Sequence, residues 1–376
     1  MQSVSKLPKL NGAQVLVRVD FNVPLKGNKI VDSRRIEASY ATIDTILKKG
    51  GTPILIAHLG KGADTLRPVA TFLSKKYTKI VFITHDILDT RTHGIIGEVP
   101  SGTVILFENI RRYEGEEKNT ASFAKLLASY GAYFVNDAFS VSHRAHASVV
   151  GIAKYLPSYA GCQLEQEVKA LTSAVNNTKH PFLFILGGAK FETKIPLLKQ
   201  FNEKADKIVI AGAILNNFYK VAEFEVGKSV VEDGFDAPIK KLLKSEKLLL
   251  PIDVIVTRGT KKLGVTPVEI EKNDVIVDIG PESVKLIVKE IMKAKLVVWN
   301  GPTGWYEKGF TKGTTGLATA IMGSKTAAII GGGDTGAVIE KLLNKNPDKR
   351  IFVSTGGGAT LDFLATGTLP GIIAIK

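Results

Sequence analysis

Short, nearly continuous apolar runs alternate along this chain with stretches whose apolar residues recur at helical spacing. The runs Gln14–Val19, Pro53–Ala57, Ile80–Ile83, Val104–Phe107 and Ala132–Val135 form one series. Phe182–Leu186, Lys207–Ala211, Leu249–Pro251, Leu296–Trp299, Ala327–Ile330 and Ile351–Ser354 form a second. Strands buried on both faces of a parallel sheet carry this pattern. Between them, Ser122–Tyr130 and Ser283–Ala294 have the 3.6-residue period of amphipathic helices. The alternation predicts an α/β fold of two doubly wound, Rossmann-like parallel sheets. Pro157 ends the first series and Pro181 precedes the second, so Gln163–Val175 is predicted to be a hinge helix joining the two. The expected parts are a first domain over 1–158, the helix over 159–177 and a second domain from 178 to 360.

Length supports two domains, since 376 residues exceed one ordinary core. Hydrophobic residues at 44% and charged residues at 23% fit a globular chain. No apolar run reaches the roughly 18–20 residues needed to span a bilayer. Met1–Asn11 lacks the apolar stretch of a signal peptide, and a cytoplasmic enzyme without a membrane partner is expected. The single cysteine, Cys162, excludes an internal disulfide and any cysteine-cluster metal site. The net charge of +14 (50 Lys and Arg minus 36 Asp and Glu) favours anionic partners. Residues 1–158 hold 21 basic and 13 acidic residues, a net of +8, which leaves +6 for the remainder. This spread, with no basic block interleaved with aromatics, argues against nucleic acid and for small anions.

Candidate chemistry lies where strands meet helices. Ala327–Ile330 runs into Gly331-Gly332-Gly333-Asp334-Thr335, Ile351–Ser354 into Thr355-Gly356-Gly357-Gly358, and Phe182–Leu186 into Gly187-Gly188-Ala189-Lys190. Glycine lets the backbone approach a ligand, and helix N-termini attract phosphate. Asp334 could hold Mg²⁺ beside that phosphate. Gly331–Gly336 also satisfies the dinucleotide spacing G-x-G-x-x-G, but the following strand ends in Ser354-Thr355-Gly356 without the acidic residue a dehydrogenase needs. Gly227-Lys228-Ser229 resembles the end of a P-loop, yet Ala222 stands where its first glycine belongs.

The first half supplies cations and histidines at four successive strand ends. Arg18, Asp20 and Asn22 follow one strand, with Arg34 and Arg35 beyond; His58 and Lys61 follow the next. Arg111 follows Glu108-Asn109, and His143, Arg144 and His146 follow Asn136-Asp137. In one sheet these groups would converge, and arginine forks match carboxylate and phosphate. A small substrate bearing both groups is expected, with phosphoryl transfer from or to a nucleotide.

In order along the chain, Arg18–Pro24 (RVDFNVP), His58–Gly60 (HLG), Glu108–Arg111 (ENIR), Asn136–Phe139 with His143–His146, Gly187–Lys190 (GGAK), Trp299–Gly304 (WNGPTG), Gly331–Thr335 (GGGDT) and Ser354–Gly358 (STGGG) resemble the phosphoglycerate kinase family. The resemblance implies transfer of the acyl phosphate of 1,3-bisphosphoglycerate to Mg·ADP, giving 3-phosphoglycerate and ATP in glycolysis. It implies a hinge-bending monomer, a first domain for phosphoglycerate, a second for nucleotide, and a segment 361–376 returning to the first. Asp20, Phe21, Asn22, Arg35, His58, Leu59, Gly60, Lys61, Arg111 and Arg144 match substrate-binding positions. Arg35, Lys190, Lys194, Gly356 and Gly357 match the groups around the transferring phosphoryl. Gly187, Gly188, Lys194, Gly212, Asn300, Pro302, Glu307, Gly331, Gly332, Gly333, Asp334 and Thr335 match nucleotide positions, with Glu307 on the ribose and Asp334 on Mg²⁺. Lys61, Thr193, Ala211 and Ala213 depart from the family pattern, which keeps open a catalytically weak nucleotide-binding relative as the alternative.

Overall fold

The computed structural model describes residues 1–176, 179–343 and 348–376, apart from the side chains of 174–176, Thr193, Gly333, Asp334, Ala337 and Glu340. Two compact units result: Met1–Lys169 with Thr368–Lys376, and Ala170–Gly367. The division falls inside a helix, Cys162–Asn176. The helix Gly358–Thr366 lies with the second unit, and Thr368 opens the segment that lies with the first.

The first unit holds a six-stranded parallel sheet. Its order is Ile80–Ile83, Val104–Phe107, Thr52–Ile56, Gln14–Arg18, Tyr133–Asn136 and Ser158–Ala160. The register sets Arg18 beside Ile56 on one side and Asn136 on the other. The loops that follow these strands therefore leave one edge of the sheet together. Thr52–Ile56 and Val104–Phe107 are buried along their whole length, as their unbroken apolar runs require. Ser158–Ala160 was not expected, because three residues after a proline carry too little pattern.

The second unit repeats the plan. The order is Leu248–Leu249, Lys207–Ile210, Phe182–Leu186, Leu296–Asn300, Ala327–Gly331 and Ile351–Val353, all parallel. Leu296–Asn300 is central, and it aligns Asn300 with Leu186 on one flank and with Gly331 on the other. A three-stranded antiparallel sheet, Lys261–Val265, Val254–Arg258 and Val275–Ile279, joins this unit and was not expected. Two of its strands carry only three-residue apolar runs, Val254–Val256 and Val275–Val277, and the third, Lys261–Val265, opens on two exposed lysines, so the sheet gives a weaker signal than the others. Among the described residues no helix is long and apolar enough to cross a membrane.

Local chemistry ends the elements where the pattern places them. Pro281 occupies the first turn of the helix Pro281–Lys293, where its missing N–H costs nothing. Asp137 caps the helix Cys162–Asn176, its Oδ1 accepting the N–H groups of Gln163 (2.8 Å) and Leu164 (3.3 Å). Burial of this carboxyl pushes its pKa from the ordinary 3.8 up to about 7. An unfolded chain gives up that proton at lower pH than the folded one, so stability falls between about pH 4 and pH 7 and levels off above. Asp137→Asn keeps the Oδ1 acceptor and removes the titration. The melting temperature of this variant relative to the parent is expected to rise steadily from pH 5 to pH 7.5. Parallel melting curves across that range would show that the carboxyl does not titrate there.

Candidate active site

In the first unit, the loop ends are tied to one another by their own polar groups. Arg35 Nη1 lies 3.1 Å from Asp20 Oδ2 and donates to the Asn22 carbonyl at 3.2 Å. Ser140 donates to the same Asp20 oxygen at 2.5 Å, and the Asn22 amide N–H reaches Asp20 Oδ1 at 3.2 Å. Asn22 Oδ1 accepts the Gly60 N–H at 3.0 Å, and Arg111 Nη1 donates to the Gly60 carbonyl at 2.7 Å. Arg144 Nε contacts His143 Nε2 at 3.3 Å. The expected set thus gathers at one edge: Asp20, Asn22, Arg35, Gly60 and Arg111 form a chain of direct contacts. Lys61 is exposed and joins none of them among the described residues.

Burial limits what three of the expected residues can offer. Phe21 has no exposed surface and Leu59 only 4%, because both side chains belong to the core under the loops. Whatever these two positions offer a ligand is backbone. His58, expected as a substrate-binding residue, is held neutral: burial first, then the nearby Arg18, Arg111, Arg144 and His146, push its pKa far below the ordinary histidine range.

The loop itself is pinned by residues the motifs did not single out for this role. Asn109 donates from Nδ2 to the Leu59 carbonyl (2.6 Å) and the Asp64 carbonyl (2.9 Å). Glu108 accepts from Thr65 and the Leu66 N–H, both at 2.7 Å. Beneath them Glu116, fully buried, accepts from Ser148 Oγ (2.6 Å) and the Ser148 N–H (2.9 Å). In the sequence Glu116 stands in the run Glu114-Gly115-Glu116-Glu117, which has the look of a solvated surface.

In the second unit, three turns meet because Ile210, Leu186 and Asn300 are neighbours. The Gly187 N–H donates to the Asn300 carbonyl (2.8 Å), the Gly188 N–H to the Pro302 carbonyl (2.9 Å) and the Gly212 N–H to the Thr303 carbonyl (3.0 Å). A side-chain carbon on Gly187 would lie 2.3 Å from the Pro302 oxygen. One on Gly212, at φ +63°, would lie 2.4 Å from the Gly188 nitrogen. These glycines serve the packing of turn against turn. Gly357 and Gly358 differ, since a carbon added to either meets nothing within 4 Å. Their bareness leaves backbone open at the N-terminus of the helix Gly358–Thr366.

Lys194 is buried at this junction. Its ammonium donates to the Gly187 carbonyl at 2.7 Å and to Asn300 Oδ1 at 2.9 Å. Burial lowers its pKa to about 8. Beside it opens a cavity of about 490 Å³, lined by Gly188, Lys190, Lys194, Gly212, Asn300, Pro302, Glu307, Gly332 and Gly357 among others. Val275, Ile276 and Val277 of the unexpected antiparallel sheet supply part of its wall, as does Ala213. The Thr335 hydroxyl is buried without a partner among the described residues. Asp278 holds this wall to the turns: it accepts from Thr303 Oγ1 (2.9 Å) and from the Gly313 N–H (2.9 Å). The side chains of Gly333, Asp334 and Thr193 lie outside the described residues.

A sequence model of the family "Phosphoglycerate kinase" matches residues 4–367. The chain belongs to the phosphoglycerate kinase family. A phosphoglycerate kinase of Dictyoglomus turgidum is 41% identical over 383 residues, covering 98% of this chain and 96% of that one. One from Borreliella burgdorferi is 37% identical and covers 100% and 99%. The solved phosphoglycerate kinase of Coxiella burnetii superposes with a TM-score of 0.84 at 35% identity, over 99% of this chain and 98% of that one. That of Pyrococcus horikoshii OT3 gives 0.87 at 28% identity, over 100% and 98%. Membership in the phosphoglycerate kinase family makes the chain a phosphotransferase with a carboxyl acceptor and removes the dehydrogenase reading of Gly331–Gly336.

Gly212→Ala is expected to lower the melting temperature by several degrees, since the added carbon meets backbone and the left-handed conformation is strained. Gly358→Ala, which meets open space, should melt near the parent. Equal melting of both variants would mean that Gly212 is not held by packing.

Proposed function

We propose that this chain transfers the acyl phosphate of 1,3-bisphosphoglycerate to Mg·ADP, reversibly, as a step of glycolysis. The cavity beside Asn300 supports this most directly. It brings a buried cation, open glycine backbone and a carboxylate at Glu307 to one apolar-walled space, which is the donor set a nucleotide needs.

In this reading Asp20, Asn22, Arg35, His58, Gly60, Lys61, Arg111 and Arg144 hold phosphoglycerate, with Phe21 and Leu59 contributing main chain only. Glu307 takes the ribose hydroxyls. Gly187, Gly188, Gly212, Asn300, Pro302 and the Gly331–Thr335 turn hold the nucleotide. The metal arrives with the nucleotide as part of the substrate, and Asp334 is its protein carboxylate.

The chemistry asks little covalent work of the protein. The bond between phosphorus and the acyl oxygen breaks, the carboxylate leaves, and a new bond forms between phosphorus and a β-phosphate oxygen of ADP. No general base is needed, because the carboxylate is ionised in one direction and the ADP oxygen in the other. What the protein supplies is in-line positioning and neutralisation of the equatorial oxygens. Arg35, Lys190, Lys194 and the backbone at Gly356 and Gly357 carry that role. Hinge closure would exclude water from the acyl phosphate. Monomeric action in the cytoplasm belongs to the same reading.

A coupled assay with 3-phosphoglycerate, Mg²⁺ and ATP tests it, and absence of turnover by well-folded protein defeats it. Arg35→Ala and Lys194→Ala are each expected to lower kcat by at least ~10²-fold, the scale for losing a charge that stabilises a transition state. If kcat stays near the parent value and only KM rises, both side chains contribute uniform binding instead.

A further inference from the structure

Arg18 ends the strand Gln14–Arg18 of the first unit and has only 1% of its surface exposed, yet among the described residues no carboxylate touches its guanidinium directly. Its N–H groups go to neutral acceptors. Nε donates to Ser148 Oγ (2.8 Å), and Nη1 to the carbonyls of Val19 (2.6 Å) and Ile56 (3.4 Å). Nη2 lies 3.1 Å from His58 Nδ1. Ser148 in turn donates to the buried Glu116, so the compensating charge sits one hydroxyl away.

The contact with His58 has only one chemically consistent direction. A guanidinium has five donors, no acceptor, and keeps its proton in proteins. Nδ1 of His58 must therefore present its lone pair. The proton of a neutral ring is then on Nε2. A second proton is excluded beside Arg18, and Arg111, Arg144 and His146 face the ring as well. Nε2 has no hydrogen-bond partner among the described residues and is not one of their fully buried atoms. The sliver of His58 that remains exposed, 3% of its surface, therefore includes this atom.

We infer that Arg18 is a positioning residue that locks His58 as its neutral Nε2–H tautomer, so that the ring offers phosphoglycerate one directed, uncharged N–H donor. This rests on the proposed role of His58 as a substrate contact. In the sequence Arg18 stands with the other basic residues as a candidate anion ligand. In the folded chain its fork instead holds strand-end carbonyls and one ring nitrogen, and the anion is left to other side chains.

Two histidine isosteres separate the ring positions. Glutamine carries an amide N–H₂ out to the place of Nε2, and asparagine carries one only as far as Nδ1. Titration calorimetry of the full chain with 3-phosphoglycerate is expected to show His58→Asn binding about 10- to 100-fold more weakly than the parent, the scale of losing a hydrogen bond to a charged group. His58→Gln should recover most of that loss. Long-range ¹H–¹⁵N correlation spectra, with the His58 signals assigned by their disappearance in His58→Gln, should give a pyridine-like Nδ1 and a pyrrole-like Nε2. Arg18→Lys keeps a cation near Glu116 but loses the fork, and should release the ring into a mixture of tautomers. If that variant does not fold, the parent spectrum and the isostere pair still decide. A protonated Nδ1 in the parent overturns the inference, as does equal weakness of the two isosteres while the parent binds. A parent that does not bind 3-phosphoglycerate removes the substrate role of His58 itself, and the spectra then judge the tautomer alone.

Discussion

The second unit depends on how closely three backbone turns can approach. Parallel pairing puts Ile210, Leu186 and Asn300 in one row. Each strand then has to leave the sheet through space its neighbours also need. With side-chain carbons at Gly187 and Gly212, backbone atoms would come within 2.3 and 2.4 Å of them. Their absence lets N–H groups of one turn reach carbonyls of the next. The ammonium of Lys194 closes the junction from beneath, and the cavity opens above it. A cavity bordered by bare backbone is in this sense a by-product of turns packed without side chains.

The first unit solves the same problem with polar side chains. Its loops are longer and carry Asp20, Asn22, Asn109 and Arg111, which bond to backbone of the neighbouring loops. Each such bond contributes only about 1 kcal/mol net. Their collective effect is to fix the directions in which Arg35, Arg111 and His58 can act. The buried Glu116 and Arg18 are spanned by a serine rather than paired directly. Both charges are satisfied through neutral groups, and the carbonyls of Val19 and Ile56, at the ends of two neighbouring strands, gain a strong donor.

Much of this was legible in the sequence. The two central strands, Gln14–Arg18 and Leu296–Asn300, each differ from the expected run by one residue, because a strand buried on both faces must be apolar throughout. The glycine turns and the ordered motifs sufficed to name the family. Three things were not legible. The antiparallel sheet that walls the cavity is built from apolar runs of only three residues, Val254–Val256 and Val275–Val277, beside a strand that opens on Lys261 and Lys262, which is too little pattern to separate from loop. Residue type did not separate the glycines that permit packing, such as Gly212, from those that bare the backbone, such as Gly357; only the neighbours do that. Nor did it reveal that Phe21 turns inward between two polar residues, which follows from the loop doubling back over the core.

The buried ammonium of Lys194 has a thermochemical corollary. Two neutral oxygens hold it, and burial leaves it titrating at about 8. A polyanion arriving beside it favours the charged form and draws its pKa upward. At alkaline pH capture of such a ligand is then accompanied by uptake of part of a proton from the medium. The heat of association will carry the ionisation enthalpy of whichever buffer supplied that proton, and the apparent affinity will fall as the solution is made more basic. A lysine buried against two neutral oxygens thereby makes the chain a weak reporter of the acidity around it.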